Sequence, residues 1–389
     1  MIYFDNNSTT RVFESTAEAM LPYLTQQFAN PASALARMNG ITRTLQLEKN
    51  RLAKALGADS GDQFIVTSGA TESNNLALLG AARANRARRH IVVSAIEHPS
   101  ILETCEQLGK EGYRITHLSV DGQGIVHADA LVNALSPETL MVSLMLANNE
   151  TGVIQPVDAI ADAVKKHDPL ILVHTDATQA VGKIAVDLSG PLAEVDLLSL
   201  SAHKFHGPKG TGALFVRDSD LVAPLLHGGG QQQGLRAGTE NPASLVGMVA
   251  ALTDVLGRTR GFAEVARLRS ELESRLIDGH PGAFVLGARA ERLPNTVNIC
   301  LPGIEAEDLV DRLAAADIAI SAGAACSYGS RKPSYVVLAH GLSYDEAKSC
   351  VRISLSLEST DQEVDRFLQV TNELIKSPVA PSAQKLESA

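Results

Sequence analysis

The residue types best suited to covalent chemistry lie between positions 197 and 210, where an apolar run ends in Ser201-Ala202-His203-Lys204. A lysine at the end of a buried strand is costly unless its amine is used, because burial disfavours the charged form. A desolvated amine can form a Schiff base with an aldehyde, and pyridoxal 5′-phosphate (PLP) is a cofactor that supplies one. PLP also requires a phosphate site and a carboxylate at its ring nitrogen, so the sequence predicts both elsewhere in the chain.

A phosphate site is predicted in the segment 68–74, which follows an apolar run and opens a helical pattern. Gly69 lets the backbone approach a ligand closely. Thr71, next to Ala70, can donate its amide and its hydroxyl to an anion at the start of a helix. An ordinary N-capped helix would have the same residues, so this segment indicates phosphate binding only together with the lysine.

A ring anchor is predicted where another apolar run ends in Asp176, with Gln179 shortly after it. Asp176 can pair with the protonated ring nitrogen, and Gln179 can bond the phenolic oxygen of the ring. Asp176 could instead cap a helix, which is common at strand-to-helix turns. Its position one strand–helix–strand unit before Lys204 favours the cofactor interpretation.

Two further side chains could complete such a site. His98 follows an apolar run and could stack on a cofactor face and move protons, although an isolated loop histidine more often has a structural role. Arg352 lies at the predicted start of a strand and could hold a carboxylate with two parallel hydrogen bonds. A surface salt bridge is the alternative for Arg352 in isolation.

Cys326 lies in a loop of small residues, 321–330, where an accessible thiol can react. Cys105, Cys300 and Cys350 have helical or apolar surroundings, and we expect them to be buried packing residues. The four cysteines are widely separated and form no CxxC pair, so neither a disulfide scaffold nor a metal site is predicted.

Short apolar runs alternate with helical patterns over the first two thirds of the chain, which predicts an α/β fold with a mainly parallel sheet and sites at the strand ends. The strands of this part are predicted at 65–67, 90–95, 114–120, 140–146, 170–174, 196–200 and 212–216. A long amphipathic helical pattern at 244–278, interrupted near 257–261, leads from there to an α+β unit with strands at 296–300, 318–321 and 351–355. We expect a large PLP-binding domain at 14–257, a small domain with the cysteine loop at 1–13 and 258–376, and a flexible tail at 377–389.

The composition excludes several classes of function. The 389 residues are 45% hydrophobic, enough for a large core, and carry a net charge of −10. This acidic balance argues against a nucleic-acid groove as the main surface. No apolar stretch approaches the length of a membrane span, and the start has no secretion signal. We therefore expect a cytosolic, soluble protein without membrane or direct nucleic-acid binding.

Taken together, these motifs resemble the cysteine desulfurases (NifS/IscS-like) of the fold-type I PLP enzymes, in the class-V aminotransferase group. The resemblance extends from Tyr3 to about Phe367. Each motif is weak alone, but the ordered set is specific: Asp5-Asn6-Asn7-Ser8-Thr9-Thr10, Asn30-Pro31-Ala32-Ser33, residues 68–75, Asn148-Asn149-Glu150-Thr151-Gly152, His174-Thr175-Asp176-Ala177, Ser201-Ala202-His203-Lys204, residues 236–241, and the Cys326 loop ending in Pro333-Ser334.

The resemblance implies a seven-stranded sheet in the large domain and a role for each matching residue. Lys204 binds PLP covalently, Asp176 and Gln179 hold the ring, and His98 stacks on it. The residues that bind the phosphate are Ala70, Thr71, Ser201 and His203, together with Thr239 from the partner subunit of a homodimer. Asn149 and Arg352 hold the substrate carboxylate. Cys326 is the nucleophile, on a loop similar to the longer, IscS-type version.

The implied reaction converts L-cysteine to L-alanine and leaves the sulfur on Cys326 as a persulfide for an acceptor protein. Members of this family serve iron–sulfur cluster assembly, tRNA thiolation or DNA phosphorothioation, and the sequence leaves the acceptor open. A selenocysteine lyase or another class-V relative is the alternative within PLP enzymes. A non-catalytic scaffold that binds sulfur acceptors is the alternative outside them, and intact Lys204, Asp176 and Cys326 argue against it.

The sequence departs from the family pattern in two places. Leu35 stands in Ala34-Leu35-Ala36, where members often have a histidine. Ser356-Leu357 replaces the usual Gly-Arg after Arg352, and Glu358 follows. The second change removes a basic residue near the predicted site. We expect both departures to affect the fit of the substrate or of a partner more than cofactor binding.

Overall fold

The computed structural model describes residues 1–323 and 332–376, so that Cys326 and the 377–389 tail lie outside the described residues. Within the described ranges the chain forms one seven-stranded, one three-stranded and one two-stranded sheet, with α-helices packed around them. This confirms the predicted α/β class with a mainly parallel seven-stranded sheet.

The seven-stranded sheet has the order β2-β8-β7-β6-β5-β3-β4. Its strands are β2 (Phe64–Thr67), β3 (His90–Ser94), β4 (Arg114–Leu118), β5 (Thr139–Ser143), β6 (Leu172–Asp176), β7 (Leu197–Ser201) and β8 (Gly212–Val216). Only β8 runs antiparallel to its neighbours β2 and β7. The strand β5 ends before the predicted position 146, although the amides of Leu144 and Leu146 still donate to the carbonyl oxygens of His174 and Asp176.

Both faces of this sheet are covered, because alternate residues of its strands enter two different hydrophobic cores. Val92 and Phe215 belong to one core, whereas Ile91, Val93 and Leu214 belong to the other. Alternation of side chains across a strand makes this arrangement unavoidable once helices cover both faces. The exception is β4 at the sheet edge, where Arg114 and His117 are exposed.

The described helices are α1 (Glu14–Thr25), α2 (Ala34–Met38), α3 (Ile41–Leu56), α4 (Ala70–Ala84), α5 (Pro99–Lys110), α6 (Ala128–Ala134), α7 (Val157–His167), α8 (Pro242–Gly257), α9 (Thr259–Gly279), α10 (Ala306–Ala315), α11 (Tyr335–Ala339), α12 (Tyr344–Ala347) and α13 (Asp361–Lys376). The helical pattern predicted at 244–278, with an interruption near 257–261, corresponds to two helices, α8 and α9, that meet at Arg258.

A separate hydrophobic core lies in the later part of the chain. The antiparallel strands β9 (Phe284–Val285), β10 (Thr296–Cys300) and β12 (Cys350–Ser354) pair in the order β12-β10-β9. Side chains from this sheet, α9, α10 and α13 form the core, as Val297, Leu272, Leu309 and Phe367 illustrate.

Residues 1–10, here called the N-terminal strap, join this later core to the large sheet. Strand β1 (Ile2–Tyr3) pairs in parallel with β11 (Ile318–Ala319). The amide of Asn6 donates to the carbonyl of Ser354, and the amide of Thr10 donates to the carbonyl of His203. The strap is thereby held against both parts of the molecule.

Candidate active site

A cavity of about 490 Å³ lies where β2, β6 and β7 end. The carboxyl ends of parallel strands meet at one edge of a sheet, which is where open α/β folds bind their ligands. Most of the predicted site residues line this cavity: Ala70, Thr71, His98, Asn149, Asp176, Gln179, Ser201, His203, Lys204 and Arg352. The structure therefore brings together residues that are up to 282 positions apart in sequence.

Lys204 lies in a short 3-10 turn, Ala202–Lys204, directly after β7. Its Nζ donates to the main-chain oxygens of Asn7 and Ser8, at 2.7 Å each. The strap thus holds the amine by neutral carbonyl groups at the cavity wall.

The phosphate-site prediction corresponds to the start of α4. The N-cap residue Gly69 has a φ of 148°, a conformation that side-chain-bearing residues rarely adopt, and no side chain of the described residues caps the helix. The first amides of α4 can therefore donate to an anion in the cavity. On the opposite side, Nδ1 of His203 lies 3.1 Å from the hydroxyl of Thr9. Burial, helped by the nearby lysine charges, lowers the pKa of His203 to about 4, so this ring is neutral at pH 7.

Asp176, the last residue of β6, has an oriented carboxylate. Oδ1 accepts from the amide of Thr178 at 2.9 Å, and Oδ2 accepts from Nδ2 of Asn74 at 2.8 Å. Asn74 is completely buried in α4 and gives its other amide hydrogen to the hydroxyl of Ser100, at 2.8 Å. Asp176 is therefore held in place by two donors that do not belong to a helix cap.

His98 is connected to the same network. Its Nδ1 accepts from the amide of Ser100 at 3.1 Å and lies 2.8 Å from the hydroxyl of Ser100. Because that hydroxyl accepts from Asn74, its hydrogen points to His98 Nδ1, so the neutral ring carries its proton on Nε2. Burial lowers the pKa of His98, which favours this neutral form.

Arg352 lies in the middle of β12 rather than at the start of a strand, and it is buried with 2% exposure. Nη2 donates to Asp5 Oδ1 at 2.6 Å and to Ser8 Oγ at 2.7 Å, while Nη1 donates to the carbonyl of Asn149 at 3.2 Å. Nε has no hydrogen-bond partner among the described residues. Arg352 thus lines the cavity while its guanidinium is held by Asp5, Ser8 and Asn149.

The sequence predictions gave no role to Asn7, although it is the most connected residue at this cavity. Its main-chain oxygen accepts from Lys204 and from Gln179 Nε2, and its side-chain oxygen accepts from Lys183 and Asn295. The run of small polar residues from Asp5 to Thr10 was the available signal. Every residue has a main-chain carbonyl, so the residue type does not show which carbonyl will hold the lysine, and this part of the site was not predicted.

The structure tests the other two predicted site residues differently. Thr239 is exposed and is absent from the described cavity wall, and Cys326 lies outside the described residues. The other cysteines, Cys105, Cys300 and Cys350, are buried with free thiols, as expected.

The two departures from the family pattern lie in different surroundings. Leu35 is 54% exposed on α2. Leu357 packs against the hydrophobic cores of both parts of the molecule, and Glu358 forms an ion pair with Arg11. Removal of the usual basic residue is therefore accompanied by apolar packing and a local charge pair.

Comparison with known proteins shows which family this chain resembles. The chain matches the family described as aminotransferase class-V over residues 2–367. It is 42% identical to a cysteine desulfurase of Cereibacter sphaeroides, over 95% of this chain and 94% of the relative. A solved structure described as a NifS-like protein has a TM-score of 0.90 at 36% identity, covering 96% of this chain and 99% of that one. Another, described as SspA in complex with cysteine, has a TM-score of 0.79 at 33% identity, covering 92% of this chain and 100% of that one.

These matches define the class of protein first: the chain belongs to the class-V aminotransferases, which are PLP-dependent enzymes. Within that class it belongs to the cysteine desulfurase family. In the described ranges 1–323 and 332–376, no helix has the length and apolar character of a membrane span, and no cluster of metal-ligating side chains is present.

Proposed function

We propose that this protein is a PLP-dependent cysteine desulfurase, which converts L-cysteine to L-alanine and passes the sulfur through Cys326 to an acceptor protein. The observation that carries the proposal is the convergence of Lys204, Asp176 and the uncapped start of α4 on one cavity. The 42% identity to a cysteine desulfurase supports the choice of substrate. Bound PLP would supply an electron sink at the α-carbon of the substrate.

The residues of the cavity fit this cofactor. A volume of about 490 Å³ lies within the range of ordinary small-molecule sites. We assign Lys204 to the aldehyde, Asp176 to the ring nitrogen, Gln179 to the phenolic oxygen and His98 to the ring face. We assign the phosphate to Ala70, Thr71, Ser201 and His203. The carboxylate of Asp176 is held in place by two hydrogen bonds, and its negative charge favours a protonated ring nitrogen beside it.

The same geometry suggests how the substrate is held and how protons move. Arg352 and Asn149 both line the cavity, and we assign them to the substrate carboxylate. Lys204 Nζ takes the proton from the substrate α-carbon. The thiolate of Cys326 attacks the substrate sulfur, so that an S–S bond forms as the C–S bond breaks and carbon accepts a proton. Cysteine and the Cys326 thiol together become alanine and a persulfide, without an external oxidant.

The remaining proposals concern organisation. Thr239 is exposed outside its own cavity, which supports a homodimer in which Thr239 reaches the partner's phosphate site. The separate hydrophobic cores support a large domain at 14–257 and a small domain at 1–13 and 258–376. The buried free thiols are compatible with a reducing compartment, and we propose a cytoplasmic location.

The test is reconstitution of the purified protein with PLP and measurement of alanine and sulfide formed from L-cysteine with a thiol reductant. Lys204→Ala should lose both products and the visible absorbance of bound cofactor. Cys326→Ala should keep that absorbance and lose sulfide release, while Cys105→Ala, which alters a buried thiol, should keep both. Full sulfide release by Cys326→Ala would refute the role of Cys326. Alanine from selenocysteine but not from cysteine would favour the selenocysteine lyase instead.

A further inference from the structure

A second lysine, Lys183, lies directly behind the site and has no role in the reaction described above. It is buried with 8% exposure, and its Nζ donates to Gln179 Oε1 at 2.6 Å and to Asn7 Oδ1 at 3.2 Å. Among the described residues, no carboxylate forms an ion pair with it. Burial, together with the positive charges of Lys204 and Arg352, lowers the pKa of the Lys183 amine well below its ordinary value. A buried amine with only neutral partners is costly, so its placement calls for a function.

The contacts of Lys183 decide how the carboxamide of Gln179 is oriented. The main-chain oxygen of Asn7 can only accept, so the Gln179 atom that faces it at 2.9 Å is the amide nitrogen, Nε2. Lys183 Nζ donates to the other end, the oxygen. Both neighbours therefore favour the same flip of the carboxamide, in which Nε2 keeps one hydrogen beyond its bond to Asn7, and Gln179 itself lines the cavity.

We propose that Lys183 is a positioning residue for cofactor binding: by holding Gln179 Oε1 and Asn7 Oδ1, it keeps Gln179 Nε2 directed to the cofactor's phenolic oxygen. The inference rests on the proposed function, because it requires PLP in this cavity. The phenolic oxygen carries negative charge and needs a donor, whereas a flipped carboxamide would present Oε1 to it.

The experiment follows the visible absorbance of PLP bound to the full-length protein as a function of pH. A donor to the phenolic oxygen stabilises its anionic form, so Lys183→Met should move the titration midpoint upward by about one pH unit, the size of one hydrogen bond to a charged oxygen. Lys49→Met is the matched control, because Lys49 is also buried with 8% exposure and does not line the cavity. Its midpoint should equal that of the wild type.

The decisive comparison separates positioning from a simple effect of charge. In a Gln179→Ala background, Lys183→Met should cause no further shift, because Lys183 acts through Gln179. A shift of the same size in that background would overturn the proposal. Lys183→Gln, which keeps an N–H donor without the charge, should stay near the wild-type midpoint, and a shift as large as that of Lys183→Met would also overturn it. If wild-type protein acquires no visible absorbance with PLP, the proposed function fails before Lys183 is tested.

Discussion

Asn74 Nδ2 donates to Asp176 Oδ2 across 2.8 Å, and this bond ties helix α4 to the last residue of β6. The other hydrogen of the same amide reaches Ser100, which in turn contacts His98. One buried side chain thus fixes both the carboxylate proposed for the ring nitrogen and the histidine proposed for the ring face.

Asn74→Ala should therefore weaken PLP binding. Loss of a hydrogen bond to a charged carboxylate costs about 1.5–3 kcal/mol, which corresponds to a rise in the PLP dissociation constant of roughly ten-fold or more. Fluorescence titration of cofactor-free protein with PLP measures this constant. Asn75→Ala is the control, since Asn75 donates only to the carbonyl of Thr71 on the surface of the same helix. Equal affinity of the two variants would contradict the importance of the Asn74 contact.

Accessible thiol chemistry should be restricted to one cysteine. Cys105, Cys300 and Cys350 are buried, and burial raises the pKa of Cys105 to about 12, so it presents very little thiolate at neutral pH. Iodoacetamide added to native protein at pH 7.5 should modify the peptide that contains Cys326 and spare the other three.

Peptide mass spectrometry measures this selectivity. In urea all four cysteines should react, which serves as the control for accessibility. Modification of Cys105 at the rate of Cys326 in native protein would show that burial does not protect it.

Glu97 should make stability depend on pH in a characteristic direction. Burial raises its pKa from the ordinary 4.5 to about 8. Between these values the folded protein retains a proton that the unfolded chain has released, so this contribution to stability is complete below pH 4.5 and is lost as the pH rises towards 8. The loss amounts to about 1.4 kcal/mol per pH unit at most.

Glu97→Gln should reduce this slope, because its carboxamide oxygen can still accept from Ser94 and from the amide of Met145 but cannot ionise. Urea unfolding of cofactor-free protein between pH 5 and 8 measures the slope. Glu106→Gln, at an exposed position of α5, is the control and should follow the wild type. Identical slopes for wild type and Glu97→Gln would refute the assignment.

Gly212 should tolerate no side chain. A Cβ at this position would lie 2.5 Å from the carbonyl oxygen of Leu200 and 2.7 Å from Cα of Gly69, both main-chain atoms. Gly212→Ala must therefore displace either β7 or the turn that begins α4, at a cost of about 1–3 kcal/mol. Both a lower melting temperature and weaker PLP binding are expected.

Gly257→Ala is the matched control, because no atom outside its own helix lies within 4 Å of a Cβ at the end of α8. That variant should melt at or above the wild-type temperature, since alanine favours the helix. Wild-type PLP affinity in Gly212→Ala would show that the turn at Gly69 does not depend on this contact.

The sequence predicted the side chains that would do chemistry better than those that support them. Lys204 and Asp176 could be found because each ends an apolar strand pattern, and the parallel sheet then brings the strand ends together. The role of Asn7 could not be found in this way, because its main-chain oxygen accepts the hydrogen bonds from Lys204 and Gln179, and Lys204 is 197 positions away. Lys183 has no motif of its own, since its environment is created only when the strap packs against the turn after β6.

The boundaries of the strands likewise separate what local sequence determines from what depends on a distant partner. The strands at 212–216 and 296–300 were predicted without error, since apolar runs bounded by turn residues define them. Arg352 was expected at the start of a strand but lies within β12, because pairing with β10 begins already at Cys350. Register of this kind depends on the partner strand, which local sequence does not contain.

The N-terminal strap also has a consequence for biosynthesis. It is translated long before its pairing strand β11 and its acceptor Ser354. A nascent polypeptide can complete the wall around Lys204 only after residue 354 has left the ribosome. Until then the strap lacks both of these partners, so we expect catalytic competence only after β12 has been made.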